Sequence, residues 1–378
     1  MQFQNFMPVK IKYVENIVDG LQEILPIVGE KTLIIYGSKE GKKYEFIKKV
    51  KEFLFMNNIS VCEFFGIQKN PELEIIEECI KKNIGINSIV SIGGGSVHDF
   101  AKAVSLGLTH EGDLKEYRIL GSKSVGKIKN TTIPVFTIPT IVGTGAEISP
   151  ASLVKIANKK EIFFSENLYP KVCLIDTSIM KSIPPSIFQK VAIDAFFQSL
   201  EAFVNKNANP FSDGMALNAI KRCIEYLPKL IDKNNNAINQ ISIASIESLI
   251  AVSQSGVGAI HALSDPLSGH LNIPHGEALS MVALPVIARN YDLNKEKYDR
   301  ICDLFYDTSN QDTKNNIINT ILGFLKKMNL YDKNPLSIYN LSDGLVKQFA
   351  KDSFNLDMNG NPKVFSEKEI EDIFYSLL

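Results

Sequence analysis

The chain has 378 residues, 45% of them apolar, which is enough to bury a substantial core and favours two domains over one. Its 41 basic and 42 acidic residues nearly cancel and the lysines are spread out rather than blocked, which excludes a surface field for DNA, RNA or anionic lipid and leaves small ligands. No stretch approaches the ~18 uninterrupted apolar residues of a bilayer span, the opening MQFQNFMPVKIKYVENI lacks a secretory signal, and Cys62, Cys79, Cys173, Cys223 and Cys302 form no C-x-x-C pair, so a reducing, cytoplasmic setting is expected.

In chain order, KTLIIYG, NSIVSIGGG, IPVFTIPT and KVCLIDT read as buried strands. Between them, YEFIKKVKEFLFMN and NPELEIIEECIKKNI repeat apolar residues at three and four positions and read as helices. This alternation predicts an α/β domain with a largely parallel sheet over residues 1–185, ending at the two-proline turn SIPPS. Residues 186–378 read as an all-helical domain, with helices expected over 188–204, 211–227, 237–263, 276–290, 311–328 and 342–351. Ser212 or Asp213 is a candidate cap for the second of these, and Pro274 a candidate opener of the fourth.

Two glycine-rich turns point to a nucleotide. SIGGGSVHD follows an apolar strand and precedes the helical stretch FAKAVSLGL, so Gly93, Gly94, Gly95 and Ser96 offer close backbone approach and helix-start amides to a diphosphate. The pattern is not G-x-G-x-x-G, and GGGS alone also fits a plain turn. In TIPTIVGTGAEISP, Thr137, Thr140 and Thr144 surround Gly143 and Gly145, a polar lip suited to ribose and phosphate oxygens or, more simply, a capped turn. After the first of these strands, YGSKEGKK has no Asp at its end to bind a ribose hydroxyl. Gly37, Ser38 and Lys39 there tolerate or attract a 2'-phosphate, which favours NADP(H) with NAD(H) also possible.

The helical half carries a sparse metal-capable set. Asp194 and Gln198 lie four apart in VAIDAFFQSLEAF, and His261 and His275 flank a glycine-containing stretch; two imidazoles and a carboxylate are the usual minimum for a divalent ion with an open position. A carboxylate amid Ala192, Ile193, Ala195, Phe196 and Phe197 is costly to bury without a cation or donors. His261, in an apolar setting, also fits an ordinary core histidine, and Phe197 and Phe203 read as packing residues.

Together, MPVKIKY, GGGSVHDFAKA, IPTIVGTGAE, AIDAFFQSLEAF and HALSDPLSGHLNIPHGEA resemble the iron-containing, or group III metal-dependent, alcohol dehydrogenase family across essentially the whole chain. The YGSK segment is similar to that of NADPH-preferring, butanol-dehydrogenase-like members. The resemblance implies a Rossmann-like NAD(P) domain followed by a helical metal domain, a dehydroquinate synthase-like two-domain architecture, and a homodimer. It implies hydride transfer between a primary alcohol, or hydroxy-substituted equivalent, and nicotinamide, assisted by Fe²⁺ or Zn²⁺.

The family holds its metal with one Asp and three His. Asp194, His261 and His275 match three of these, and Gln198 falls where the remaining His stands. Asp265 replaces a histidine that many members have near the substrate, and is read either as a proton relay or orienting group or as a cap before Pro266; His270 is the nearby imidazole that would recover that function. Asp99 resembles a residue near the nicotinamide ribose, and Lys160, with Lys159 as its rival, occupies a lysine-bearing turn after GTGAE. Two alternatives stand beside the dehydrogenase. One is a lyase or cyclising synthase on the same scaffold, for which Arg222 and Arg289 are few phosphate-binding cations; the other is a nucleotide-binding homologue whose metal site has decayed at Gln198 and Asp265.

Overall fold

The computed structural model describes residues 4–37, 44–119, 128–157, 159–232, 234–306 and 317–378. It divides into two compact units, residues 7–183 and residues 184–378 joined by the amino-terminal residues up to Phe6. The boundary therefore falls before Pro184 and not after Pro185. The reason is local: Pro184 caps a helix and Pro185 is its first residue, where a missing N–H costs nothing.

In the first unit the chain runs through β1 (Lys10–Tyr13), α1 (Ile17–Gly20), β2 (Lys31–Tyr36), α2 (Glu45–Met56), β3 (Ser60–Phe65), α3 (Leu73–Lys82), β4 (Ser88–Gly93) and α4 (Gly95–Gly107). It continues with β5 (Val135–Pro139), β6 (Ala151–Ile156), β7 (Lys159–Phe164) and β8 (Val172–Ile175). Six strands form a parallel sheet in the order β1-β8-β5-β4-β2-β3, and β6 and β7 pair as a separate antiparallel hairpin.

The central strands are continuous apolar runs because both faces of the sheet are covered. Leu33, Ile89 and Val135 lie in register and feed one core; Ile34, Val90 and Phe136, one residue on, feed the other. From β2 the chain steps outward to β3, then returns to place β4 on the opposite side of β2. That reversal puts a topological switch point at the carboxyl ends of β2 and β4, where open α/β sheets bind ligands.

The second unit is helical throughout its described residues: α5 (Pro185–Val204), α6 (Pro210–Tyr226), α7 (Asn235–Ser255), α8 (Ala259–Leu271), α9 (His275–Asn290), α10 (Lys295–Asp303), α11 (Ile317–Lys327), α12 (Asp343–Asp352) and α13 (Glu367–Tyr375). The single helix expected over 237–263 is two. Gly256 takes φ +84°, a left-handed value that ends α7, and α8 leaves at 109° to it. α6 is capped by Asn209, with Ser212 as its reciprocal partner in a capping box, while Asp213 pairs instead with Lys297. α10 and α13 were not expected from the sequence. No single helix among the described residues is long and apolar enough to cross a membrane.

Candidate functional site

α5 is apolar nearly all round and buried over most of its length, so its polar side chains stand out. Asp194 and Glu201 are seven residues apart, two turns along one face, and both reach His261 of α8. Asp194 Oδ1 lies 3.1 Å from His261 Nε2, and its Oδ2 lies 3.8 Å from His275 Nε2. The two imidazoles meet edge-on with centroids 5.5 Å apart. One ligand atom from each of Asp194, His261 and His275 falls within 4.8 Å of the others, which suits a divalent ion at bond lengths of about 2.0–2.2 Å.

Two features hold that cluster. The Glu201 carboxylate accepts from His261 Nδ1 and from the Ile260 amide, fixing the ring with Nε2 toward Asp194. His275 is the first residue of α9, capped by Pro274, and the helix start beside it packs hard on α5. A Cβ on Gly276 would stand 1.8 Å from the Lys190 carbonyl, one turn before Asp194. Burial works against charge on His261, yet the two carboxylates outweigh it and raise its pKa well above 6.5. In the absence of a cation the ring is therefore a proton holder between two anions. A divalent ion is the natural replacement for that proton, and the donor set fits one.

The other sequence candidates in this unit are placed differently. Gln198 lies one turn on from Asp194 and contacts Ser248. Asp265 sits inside α8, which continues through Pro266 to Leu271, so it does not cap a turn; Asn355 Nδ2 donates to its carboxylate at 3.4 Å. His270 is nine residues beyond His261, which on a helix turns it to the opposite face. Its Nε2 meets Asp352 Oδ2 at 2.8 Å, away from the three-residue cluster. Phe197 and Phe203 are fully buried packing residues.

In the α/β unit the glycine turn joins β4 to α4, with Gly94 as the cap of α4. The glycines are sterically required. A Cβ on Gly93 would meet Val97 at 2.5 Å, on Gly94 would meet Ile141 at 2.9 Å, and on Gly95 would meet Thr144 Oγ1 at 2.8 Å. Gly37, Gly93, Gly94 and Thr140 line a cavity of about 160 Å³ at the switch point, floored by Tyr36 and Ile92. Ser96 lies in the first turn of α4, the end of a helix whose amides and dipole favour an anion. Ser38 and Lys39 lie outside the described residues.

Two expectations here need correction. Thr137 does not form a lip: it is fully buried and donates to the Glu147 carbonyl at 2.7 Å, because its position in β5 points inward. Lys160 belongs to β7, paired with Lys155, rather than to a turn, and its charge acts on Asp99. His98, in α4, is buried; burial, then Lys102, pushes its pKa down to about 3, so the ring is neutral and contacts Ser91 Oγ through Nδ1 at 2.8 Å.

Thr144 Oγ1 accepts from the Ala146 amide at 3.2 Å, a local turn bond. Asp99 is buried, which raises its pKa, and is countered by Lys102 Nζ at 3.0 Å.

Glu201 and Lys102 were missed by sequence reasoning. Lys102 is wholly buried, and its ammonium donates to the carbonyls of Ala146, Ser149 and Ala151, tying the 140–151 segment to α4. The signal for both was present: a charged residue seven after Asp194, and one three after Asp99, each in an otherwise apolar helix.

Comparison with known proteins gives the family. The family described as iron-containing alcohol dehydrogenase matches residues 8–177, and the carboxy-terminal part of the same family matches residues 190–378. Choline dehydrogenase of Bacillus subtilis (strain 168) is 26% identical over 377 residues, covering 97% of this chain and 93% of its own. The 1,3-propanediol dehydrogenase of Klebsiella pneumoniae is 28% identical, covering 74% and 75%. A crystal structure of an iron-containing alcohol dehydrogenase superposes with a TM-score of 0.87 at 25% identity, covering 100% of this chain and 99% of that one.

Proposed function

We propose, from the premise that this chain belongs to the iron-containing alcohol dehydrogenase family and is an alcohol-type oxidoreductase, that it interconverts a primary alcohol and its aldehyde with a nicotinamide dinucleotide. The reaction balances as alcohol plus NAD(P)⁺ giving aldehyde, NAD(P)H and a proton. The observation that carries this reading is the convergence of Asp194, His261 and His275 within 4.8 Å. A divalent ion there, Fe²⁺ or Zn²⁺, supplies Lewis acidity toward the substrate oxygen.

The chain's own residues do the rest. Asp194 contributes the negative charge that favours a cation, Glu201 keeps the His261 ring aligned, and the first turn of α9 fixes His275. Gly93 and Gly94 allow a diphosphate to approach the amides of α4, and the 160 Å³ cavity beside Gly37 and Thr140 accepts part of the dinucleotide. Asp265, four residues after His261 on α8, is the side chain we assign to proton transfer, in preference to His270, which Asp352 holds.

The absence of an acidic residue directly after β2 favours NADP(H), with NAD(H) as the alternative. Relatives bearing the names choline dehydrogenase and 1,3-propanediol dehydrogenase support a small, polar alcohol as substrate. A homodimer in a reducing cytoplasm completes the reading, in keeping with five thiols that are not joined in disulfides.

The test is direct. The protein is purified without chelators, its metal content measured, and NADPH and NADH oxidation followed at 340 nm with aliphatic and hydroxy aldehydes under oxygen-free conditions. Turnover should disappear on metal removal and return with Fe²⁺ or Zn²⁺. Full activity in a metal-stripped sample, or in Asp194→Asn, would show that the cluster is not the reaction centre.

A further inference from the structure

Helix α8 begins without a cap of its own. Gly258 precedes it and offers no side chain, yet Ala259, Ile260 and His261 of its first turn are buried, where unpaired amides are costly. Two side chains from distant parts of the sequence take those amides. Glu201 of α5 accepts from Ile260 N at 2.6 Å and from His261 N at 3.4 Å, and Asn361, just after the turn Asp357–Gly360, accepts from Ala259 N at 3.3 Å.

Asn361 is buried, and its contacts use both lone pairs and both protons of the side-chain amide. Its Oδ1 accepts from Ala259 N and from Asn290 Nδ2 at 2.7 Å; its Nδ2 donates to Asn290 Oδ1 at 2.9 Å and to the Lys363 carbonyl at 2.7 Å. Asn290 is the last residue of α9, the helix that His275 begins. The turn before Asn361 is seated on the link between α7 and α8: a Cβ on Gly360 would stand 2.2 Å from the Val257 carbonyl, which accepts from Asn205 Nδ2 at 2.8 Å. The start of α8 and the end of α9 therefore meet on one asparagine.

We propose that Asn361, with Asn290 behind it, is a positioning residue for the metal centre: together with Glu201 it fixes the first turn of α8 and so aims His261 at the ion. A ligating ring must stand within about 0.5 Å of its productive place, so the turn that carries it matters as much as the bond at its Nδ1. The inference rests on the metal reading given above and extends the centre to a residue 102 positions beyond Ala259.

The test is Co²⁺ titration of the full-length metal-free protein, read by dissociation constant and by visible absorption of the bound ion. Asn361→Ala should weaken Co²⁺ binding about tenfold and change the absorption band, in a protein that still unfolds in one transition. Asn361→Asp keeps an acceptor for the Ala259 amide and loses both donors. It should melt below the parent yet recover the parent band and most of the affinity. A merely structural asparagine would not give that split, since metal binding would then follow stability in both variants. Gly258→Ala is a milder probe of the same turn. Its methyl would stand 3.0 Å from Asn361 Oδ1 and from Glu201 Oε1, wedging both oxygens from the amides without deleting either, and should change the band as Asn361→Ala does.

A folded Asn361→Ala with the parent band and affinity would overturn the proposal; should that variant not fold, the same result in Gly258→Ala does so. Asn361→Asp as impaired in metal binding as Asn361→Ala would also overturn it, reducing the asparagine to a brace of the fold. In each case the metal centre itself stands if Asp194→Asn abolishes Co²⁺ uptake. A parent chain that takes up no Co²⁺ overturns both readings together.

Discussion

At the scale of single residues, the cluster is a competition between a proton and a cation for His261. Its folded pKa is raised well above 6.5 by Asp194 and Glu201 acting against burial. A raised basic group contributes stability that is fully present below its unfolded pKa and lost as pH rises through the folded value. The metal-free protein should therefore lose thermal stability as pH climbs above neutrality. Metal uptake needs the neutral ring, so affinity should rise with pH and about one proton should be released per ion bound, measured by calorimetry in buffers of different ionisation enthalpy.

Glu201→Gln keeps an acceptor for His261 Nδ1 but removes a charge. It should lower metal affinity by about 10- to 100-fold and move the pH dependence of uptake to lower pH; an unchanged affinity would show that Glu201 plays no part in the centre. Asp194, His261 and His275 were legible in the sequence because a carboxylate and imidazoles in apolar surroundings carry a burial cost that needs a reason. Glu201 was not singled out, since a lone Glu near a helix end normally reads as a solvated residue. Only the α5–α8 crossing reveals its partner.

At the scale of elements, what the sequence showed and what it hid follow from burial. β2, β4, β5 and β8 are apolar on both faces and announce themselves. β3, SVCEFF, is a sheet-edge strand with Glu63 in its middle, where that carboxylate accepts from the Tyr36 hydroxyl at 2.8 Å and bonds Lys51. β7 begins with Lys159, Lys160 and Glu161, a charged run that reads as a turn until β6 is seen beside it. The break between α7 and α8 was hidden for the opposite reason, two glycines set in apolar periodicity that continues across them.

Among the described glycines, the one with least room for a side chain stands next to His275. In Gly276→Ala the new methyl would lie 1.8 Å from the Lys190 carbonyl and 2.7 Å from Ile193 Cγ2, so the start of α9 must move away from α5. Backbone cannot yield as a flexible side chain does, and we expect a loss of about 3 kcal/mol in chemical denaturation. Because the displaced residue is next to His275, Co²⁺ affinity should fall as well. Gly214→Ala, inside α6 with nothing within 4 Å of the added methyl and no left-handed φ, is the control: it should leave Co²⁺ affinity unchanged and raise stability by up to about 1 kcal/mol rather than lower it.

At the scale of the molecule, the chemistry is divided between two units that each have their own core. The features proposed for the dinucleotide, Gly93 to Gly95 and the cavity at the switch point, lie wholly within residues 7–183, and the three residues proposed for the metal wholly within 184–378. That division was readable from the shift at SIPPS, from alternating strands and helices to helices alone. Substrate identity was not readable, because no side chain outside the shared motifs carries a distinctive chemistry.

The division predicts a clean separation of defects. Gly94→Val, which forces a branched side chain toward Ile141 at the β4–α4 turn, should abolish dinucleotide binding as followed by nicotinamide fluorescence, while metal content stays at the parent level. Asp194→Asn should do the reverse, losing the ion but keeping the dinucleotide dissociation constant within about twofold, since independent sites do not couple. Neither variant should turn over, because the proposed reaction needs both the dinucleotide and the ion. Loss of dinucleotide binding in Asp194→Asn would mean that the metal centre shapes the nucleotide site, and the two units could then no longer be treated as independent carriers of the two functions.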